Sequence, residues 1–182
     1  MARYINEQGE FWDGGSVVIG DTRYLHPNEE ILAQAGYYPY VPPTPTAEEL
    51  LAKAKADKLM DIDGYDNSDS VNVFYLGGNP MWLDAQTRQT LRTSINAYVA
   101  TGIEQVTKWF GGQQFTFPTQ VWLAMLNALE VYAGEALNVT EAHKAAVMAL
   151  DNVDDVENYD YTTGYPVVLN FNEQWMRSLS LQ

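Results

Sequence analysis

Two histidines and two runs of acids are the side chains in this chain whose types could support catalysis or metal binding. Histidine exchanges a proton near neutral pH and ligates metals. His26 stands directly before Pro27 and is read as a capping or surface residue. His143 lies one turn beyond Thr140, beside Lys144, and is read as a solvated or partly packed helical residue. The first acidic run is Asp61, Asp63, Asp66, Asn67 and Asp69. Oxygen ligands this dense could hold calcium, but Gly64 falls one place after Asp63 and no Glu closes an EF-hand loop. A helix end followed by an Asx-rich turn explains the run from local chemistry alone. The second run is Asp151, Asp154, Asp155, Glu157 and Asp160. Acids in the first turn of a helix are favoured by its dipole, so Asp154 and Asp155 need no ligand.

Other chemistry is thin. The chain has 182 residues and no cysteine, so thiolate catalysis, disulfides and Cys-ligated zinc are excluded. No nucleophile elbow, Walker loop or dinucleotide fingerprint occurs. Gly14-Gly15 and Gly111-Gly112 read as hairpin glycines, because neither opens a helix after a buried strand. No catalytic residue, cofactor or metal is therefore expected. A carboxylate pair for hydrolysis stays open as an alternative, because separation in space is invisible in a sequence.

Aromatic residues offer a different kind of chemistry. Five Trp, twelve Tyr and six Phe occur. Trp82, Trp109 and Trp122 fall in expected strands or on an apolar helix face and are assigned to the core. Tyr37, Tyr38, Tyr40, Tyr161, Tyr165 and Trp175 fall at expected boundaries. Such rings anchor protein interfaces and can also stack on sugars. They are the candidate interface residues.

Charge narrows the partners. Ten basic and 24 acidic residues give a formal net charge of −14, which repels nucleic acid and anionic lipid. Neither is an expected partner. No apolar run approaches the roughly 20 residues of a membrane span. Residues 1–15 carry no basic-then-apolar leader pattern, so synthesis in a cytoplasm is expected.

The elements that must position these residues follow from periodicity and punctuation. Residues 1–41 read as a small β-rich unit, with strand-like runs at Arg3–Ile5 and Ser16–Ile19, a helix over Pro27–Ala35 and an extended strip at Tyr37–Val41. Residues 42–46 hold three prolines and form a stiff linker. Thr46 with Glu49 makes a capping box that starts a partly buried helix reaching about Ile62. A hairpin is predicted from Val71–Tyr75, a Gly77-Gly78-Asn79-Pro80 turn and Met81–Leu83. Asp84 caps a helix to about Ala100, with Leu91, Ile95, Tyr98 and Val99 on one face and an Asp84–Arg88 pair at i, i+4. A second hairpin turns at Gly111-Gly112. Trp122, Met125, Leu126, Leu129, Tyr132, Ala133, Ala136 and Leu137 mark the central core helix. Thr140 is expected to break it and cap a shorter helix carrying Val147 and Leu150. Another turn or two of helix follows Asn152, then a strand at Val167–Phe171. The fold class is α+β: a small β-rich N-terminal unit, a Pro-rich hinge, a mainly helical domain over 47–160 with two β-hairpins, and an aromatic tail over 161–182.

From Ala47 to about Tyr159 the element order and local motifs form a recognisable set. It comprises Asp66-Asn67-Ser68, Val73-Phe74-Tyr75-Leu76-Gly77-Gly78, Met81-Trp82-Leu83-Asp84 with Thr87-Arg88, Phe117-Pro118-Thr119, His143 to Val147, and Val153 to Val156. This stretch resembles an uncharacterised domain family of phage and prophage proteins, often C-terminal in tail-fibre assembly or tail-associated proteins. Asn138-Val139-Thr140 and Tyr159-Asp160-Tyr161-Thr162 look like the variant from phages of Bacteroides-type gut bacteria. The resemblance implies an assembly or virion role and brings no catalytic residues. It also implies synthesis in the cytoplasm of a bacterial host, with the virion as a further destination. The expected function is a non-enzymatic tail-associated interaction protein that binds other tail or virion proteins or itself. A carbohydrate-binding module for host-surface glycans is the alternative.

Overall fold

The computed structural model of the protein describes residues 3–179, so the last three residues of the expected 161–182 tail lie outside the described residues. The fold is α+β, and the chain divides into two compact units between Thr46 and Ala47.

The first unit contains β1 (Tyr4–Asn6), β2 (Val17–Ile19), β3 (Thr22–Tyr24), α1 (Glu29–Gln34) and β4 (Tyr37–Pro39). β1 pairs antiparallel with β4, and β2 with β3. Asn28 caps α1 by accepting from the Ile31 amide, so the helix begins later than the predicted Pro27. Tyr4, Val17 and Leu32 form a small core. The Tyr4 hydroxyl donates to Glu29, which ties β1 to α1.

The second unit begins with α2 (Ala47–Asp66), followed by β5 (Phe74–Leu76), β6 (Asn79–Met81) and α3 (Ala85–Ala100). It continues through β7 (Gln105–Phe110), β8 (Gln113–Pro118), α4 (Thr119–Ala149), α5 (Val153–Glu157), β9 (Asn170–Phe171) and α6 (Glu173–Leu179). Two hairpins, β5–β6 and β7–β8, lie among the helices. Each turns on two glycines with positive φ, Gly77-Gly78 and Gly111-Gly112. Both central residues of such a primed two-residue turn need that left-handed backbone, which glycine adopts without a Cβ clash.

Five details correct the sequence reading. The first hairpin turns at Gly77-Gly78 alone, and Pro80 lies within β6 opposite Tyr75. This is tolerated because β6 is an edge strand and the Tyr75 amide donates to Leu169 on the other side. The predicted helix break at Thr140 does not occur, since α4 runs unbroken for 31 residues. The Thr140 hydroxyl makes long-range bonds instead of a cap. Leu137, expected on the core stripe, is exposed. Trp109, assigned to the core, is 65% exposed. Strand β7 alternates, and Val106, Lys108 and Phe110 take the inner face. Arg88 does not pair with Asp84, whose carboxylate is held by the amide and hydroxyl of Thr87. Arg88 bonds Glu130 on α4 and the Leu83 carbonyl.

The main core joins both hairpins to α3 and α4 through Phe74, Leu76, Leu83, Ile95, Trp122, Met125, Leu126 and Leu129. Each fully buried large side chain of this kind contributes roughly 1.5–3 kcal/mol by leaving water. The segment after Asp160 belongs to this unit. β9 adds to β5 in parallel, and Phe171 joins the core. No helix among the described residues is long and apolar enough to cross a membrane.

Candidate functional site

α2 carries few large apolar residues, and only Ile62 on it is fully buried. Lysines help to hold it. Lys55 Nζ donates to the Met148 carbonyl near the end of α4, and Lys58 Nζ to the Glu157 carbonyl at the end of α5. Helix C-termini present such carbonyls unpaired and carry partial negative charge, so cations settle there. Ile62 with Leu51, Ala54 and Leu59 also packs α2 against Val147 and Val156. Leu51 and Leu59 are therefore half-buried, and only their outer faces, with Ala52 and Ala56, stay open as an apolar stripe.

That stripe lines an apolar groove of the second unit. Glu48, Leu51, Ala52, Lys55, Ala56 and Leu59 repeat at three- and four-residue spacing along one side of α2, and Met148 of α4 forms the facing wall. The groove encloses about 400 Å³. Met148 is 55% exposed. From Glu48 to Leu59 the helix rises about 16 Å, or three turns. Ala52 and Ala56 keep the floor shallow enough for another backbone to approach closely.

A second convergence surrounds His143. Its Nδ1 lies 2.8 Å from the Tyr159 hydroxyl and its Nε2 lies 2.9 Å from the Thr163 carbonyl oxygen. A carbonyl only accepts, so Nε2 donates to Thr163, while Nδ1 shares a hydrogen bond with the Tyr159 hydroxyl. Both nitrogens are thus engaged in pinning the 159–165 loop to α4. One turn earlier, Thr140 donates to Asp66 Oδ1 at 2.7 Å and sits 3.0 Å from the Tyr165 hydroxyl. Burial pushes the Tyr165 phenol above its ordinary value. Lys144 bonds both Asp63 and Glu141, which keeps its ammonium protonated well above the usual lysine range. Asp160 accepts from the hydroxyl and amide of Thr162, which lowers its carboxyl. This network is a clamp: its polar groups have internal partners.

The acidic runs are dispersed among these roles. Asp63 meets Lys144, Asp66 meets Thr140, and Asn67 donates to the Asp63 carbonyl. Asn152 caps α5. Among the described residues no three His, Asp or Glu side chains converge on a metal-sized site. His26 is exposed.

The aromatic residues singled out as interface candidates fall into two groups in different units. Tyr37 packs on the small core, Tyr40 meets Phe11 edge-on at 5.1 Å, and Tyr38 is half exposed. Tyr161 and Tyr165 both contact Tyr65, at 5.8 and 5.3 Å. Trp175 stands edge-on to Phe171 at 4.6 Å. Tyr161, Tyr165 and Trp175 are therefore half-buried against their own unit. The α2 groove was legible in part, since the helix reads as only partly buried. Its Met148 wall comes from residues far along the chain and had no local signal.

Comparison with protein-family models, with curated proteins and with solved structures finds no match to this chain.

Proposed function

We propose that the protein is a non-enzymatic interaction protein that docks a helix of a partner protein in the α2 groove. The observation that carries this reading is the apolar groove in which exposed Ala52 and Ala56 lie between half-buried Leu51 and Leu59, beside exposed Met148. Amphipathic helices bury apolar anchors at this spacing in such grooves. The partner's chemistry follows from charge. The chain carries −14. The three lysines of α2 are spent within the unit, on Asp57, Met148 and Glu157. A helix with apolar anchors and basic flanks is favoured over a second copy of this acidic chain. The engaged nitrogens of His143 fit a structural role better than a catalytic one.

The biological setting we propose is phage or prophage tail assembly. It rests on the resemblance of the 47–159 element order alone. The test is co-elution of the purified protein with the tail and fibre proteins encoded beside it, using Ala56→Glu as the control. The glutamate places a charge in the groove at an exposed helical position, where substitutions change stability by only about 0.5 kcal/mol. We expect one neighbour to co-elute with the wild type and not with the variant. Co-elution with none of them, or equally with both forms, contradicts the reading.

A further inference from the structure

We propose that a hollow on the outer face of β5 and β6 binds a neutral oligosaccharide. This goes beyond helix docking and uses a different surface of the second unit. The hollow measures about 440 Å³, within the range of about 300–1,000 Å³ common for small-molecule sites. Its platform is Tyr75. Phe74 and Leu76 point into the core, so the strand's alternation turns Tyr75 outward, and it is 38% exposed on the central strand of its sheet. Pro80 lies directly across from it. Trp82 forms one wall, and its ring is fixed. The Arg88 guanidinium sits over it at 5.6 Å, and Tyr132 meets it edge-on at 6.4 Å.

Asp69 and Asn72 supply the polar rim. The turn bearing them is rigid. Ser68 accepts from the Asn72 amide at 2.8 Å, and its hydroxyl accepts from the Ser70 amide. The intervening Val71 is buried, and its carbonyl accepts from Tyr132. The Asp69 and Asn72 side chains themselves make no hydrogen bond among the described residues. A carboxylate offers acceptors, and a carboxamide offers donors and acceptors together. Paired sugar hydroxyls present that same mixture, and the C–H face of a pyranose suits the negative face of an aromatic ring.

A second hollow of about 210 Å³ shares Pro80 and Met81 with the first. It sets the edge of Phe110, which packs inward on the core, beside the amides of Asn79 and Gln113, the latter donating to the former at 3.5 Å. The adjoining hollow extends the surface available to a second sugar unit. Other ligands fit less well. Asp69 and the net charge of −14 oppose phosphate and uronate groups. Pro80 lacks the amide that an added peptide strand would need along the β6 edge.

The test is a titration of the isotope-labelled full chain with chitotriose, maltotriose, cellotriose and mannotriose at up to about 10 mM, with trigalacturonate as the anionic probe. We expect at least one neutral trisaccharide to shift amide signals over residues 69–82 and 110–113. Tyr75→Ala and Asn72→Ala should each weaken that binding by at least about fivefold. Circular dichroism of both variants must match the wild type. If Tyr75→Ala does not fold, Asn72→Ala alone decides. Silence with all four neutral sugars overturns the proposal. So does binding that ignores both substitutions, or an equal response to trigalacturonate.

Discussion

Arg88 is the sharpest point at which to strain the fold. Its side chain is 8% exposed, while that of Glu130 is 58% exposed. The guanidinium makes two bonds, from Nε to Glu130 at 3.0 Å and from Nη1 to the Leu83 carbonyl at 2.7 Å. Replacing it by methionine keeps an unbranched apolar stem and removes both. Stranding the Leu83 carbonyl costs roughly 1–3 kcal/mol. The ion pair adds at most about 1 kcal/mol, because water reaches Glu130. Loss of the Arg88–Trp82 contact adds about 0.5–1 kcal/mol. The expected loss for Arg88→Met is about 3 kcal/mol, and for Glu130→Gln under about 1 kcal/mol. In urea, with a slope of about 2 kcal/mol per molar, the Arg88→Met midpoint should fall by about 1.5 M. Helical ellipticity is the right signal, because α1 is the first unit's only helix among the described residues. Double-mutant cycles should find stronger coupling between Arg88 and Glu130 than between Arg88 and Asp84, which share only a longer-range charge interaction. A loss under about 1 kcal/mol for Arg88→Met, or stronger coupling to Asp84, would refute this account of how α3 is locked to α4.

Three further outcomes are expected. Thr140→Val keeps the shape and deletes the bonds to Asp66 and Tyr165. It should cost about 1–3 kcal/mol and speed amide exchange over residues 159–165, and unchanged exchange there would deny the clamp. Hydrogen bonds from the Thr87 amide and hydroxyl lower the Asp84 carboxyl. Its charge therefore stabilises the fold above the ordinary aspartate range, and that stabilisation disappears as pH falls through the lowered folded value. Asp84→Asn should melt below the wild type at pH 7, and the gap should narrow progressively as pH falls below the ordinary aspartate range; a gap that stays constant into acid contradicts the assignment. Trp109→Thr should change stability by less than about 0.5 kcal/mol, whereas Trp122→Ala should cost about 3–5 kcal/mol. Chemical denaturation of the pair would expose an error in which ring is buried.

What could be read from the sequence was local. The glycine pairs, the Asp84 cap and the apolar stripe from Trp122 to Leu129 are set by residues within a few positions of one another. The misreadings came from partners distant in sequence. Asn138-Val139-Thr140 looks like a capping site, but the Thr140 hydroxyl is claimed by Asp66 of α2 and lies beside Tyr165. Asp84 and Arg88 have pairing distance in a helix, yet Thr87 occupies the one and Glu130 the other. Period two in β7 was evident, but not which parity faces inward. Lys108 goes in because its ammonium reaches Ser94 at 3.0 Å and lies over the Tyr98 ring. The short β9 had no chance of being bounded from sequence, since its register is set by Tyr75 and Leu76. The groove and the sheet hollow share this property. Each is made by segments that meet only in the folded unit.

The central claim is that α2 receives a partner helix. The measurement that tests it most directly is amide hydrogen exchange of the full chain, with and without a partner protein that co-elutes with it. The account predicts added protection over residues 48–59 and around Met148, with the 159–165 loop unchanged. Protection that spares α2 and appears elsewhere would contradict it.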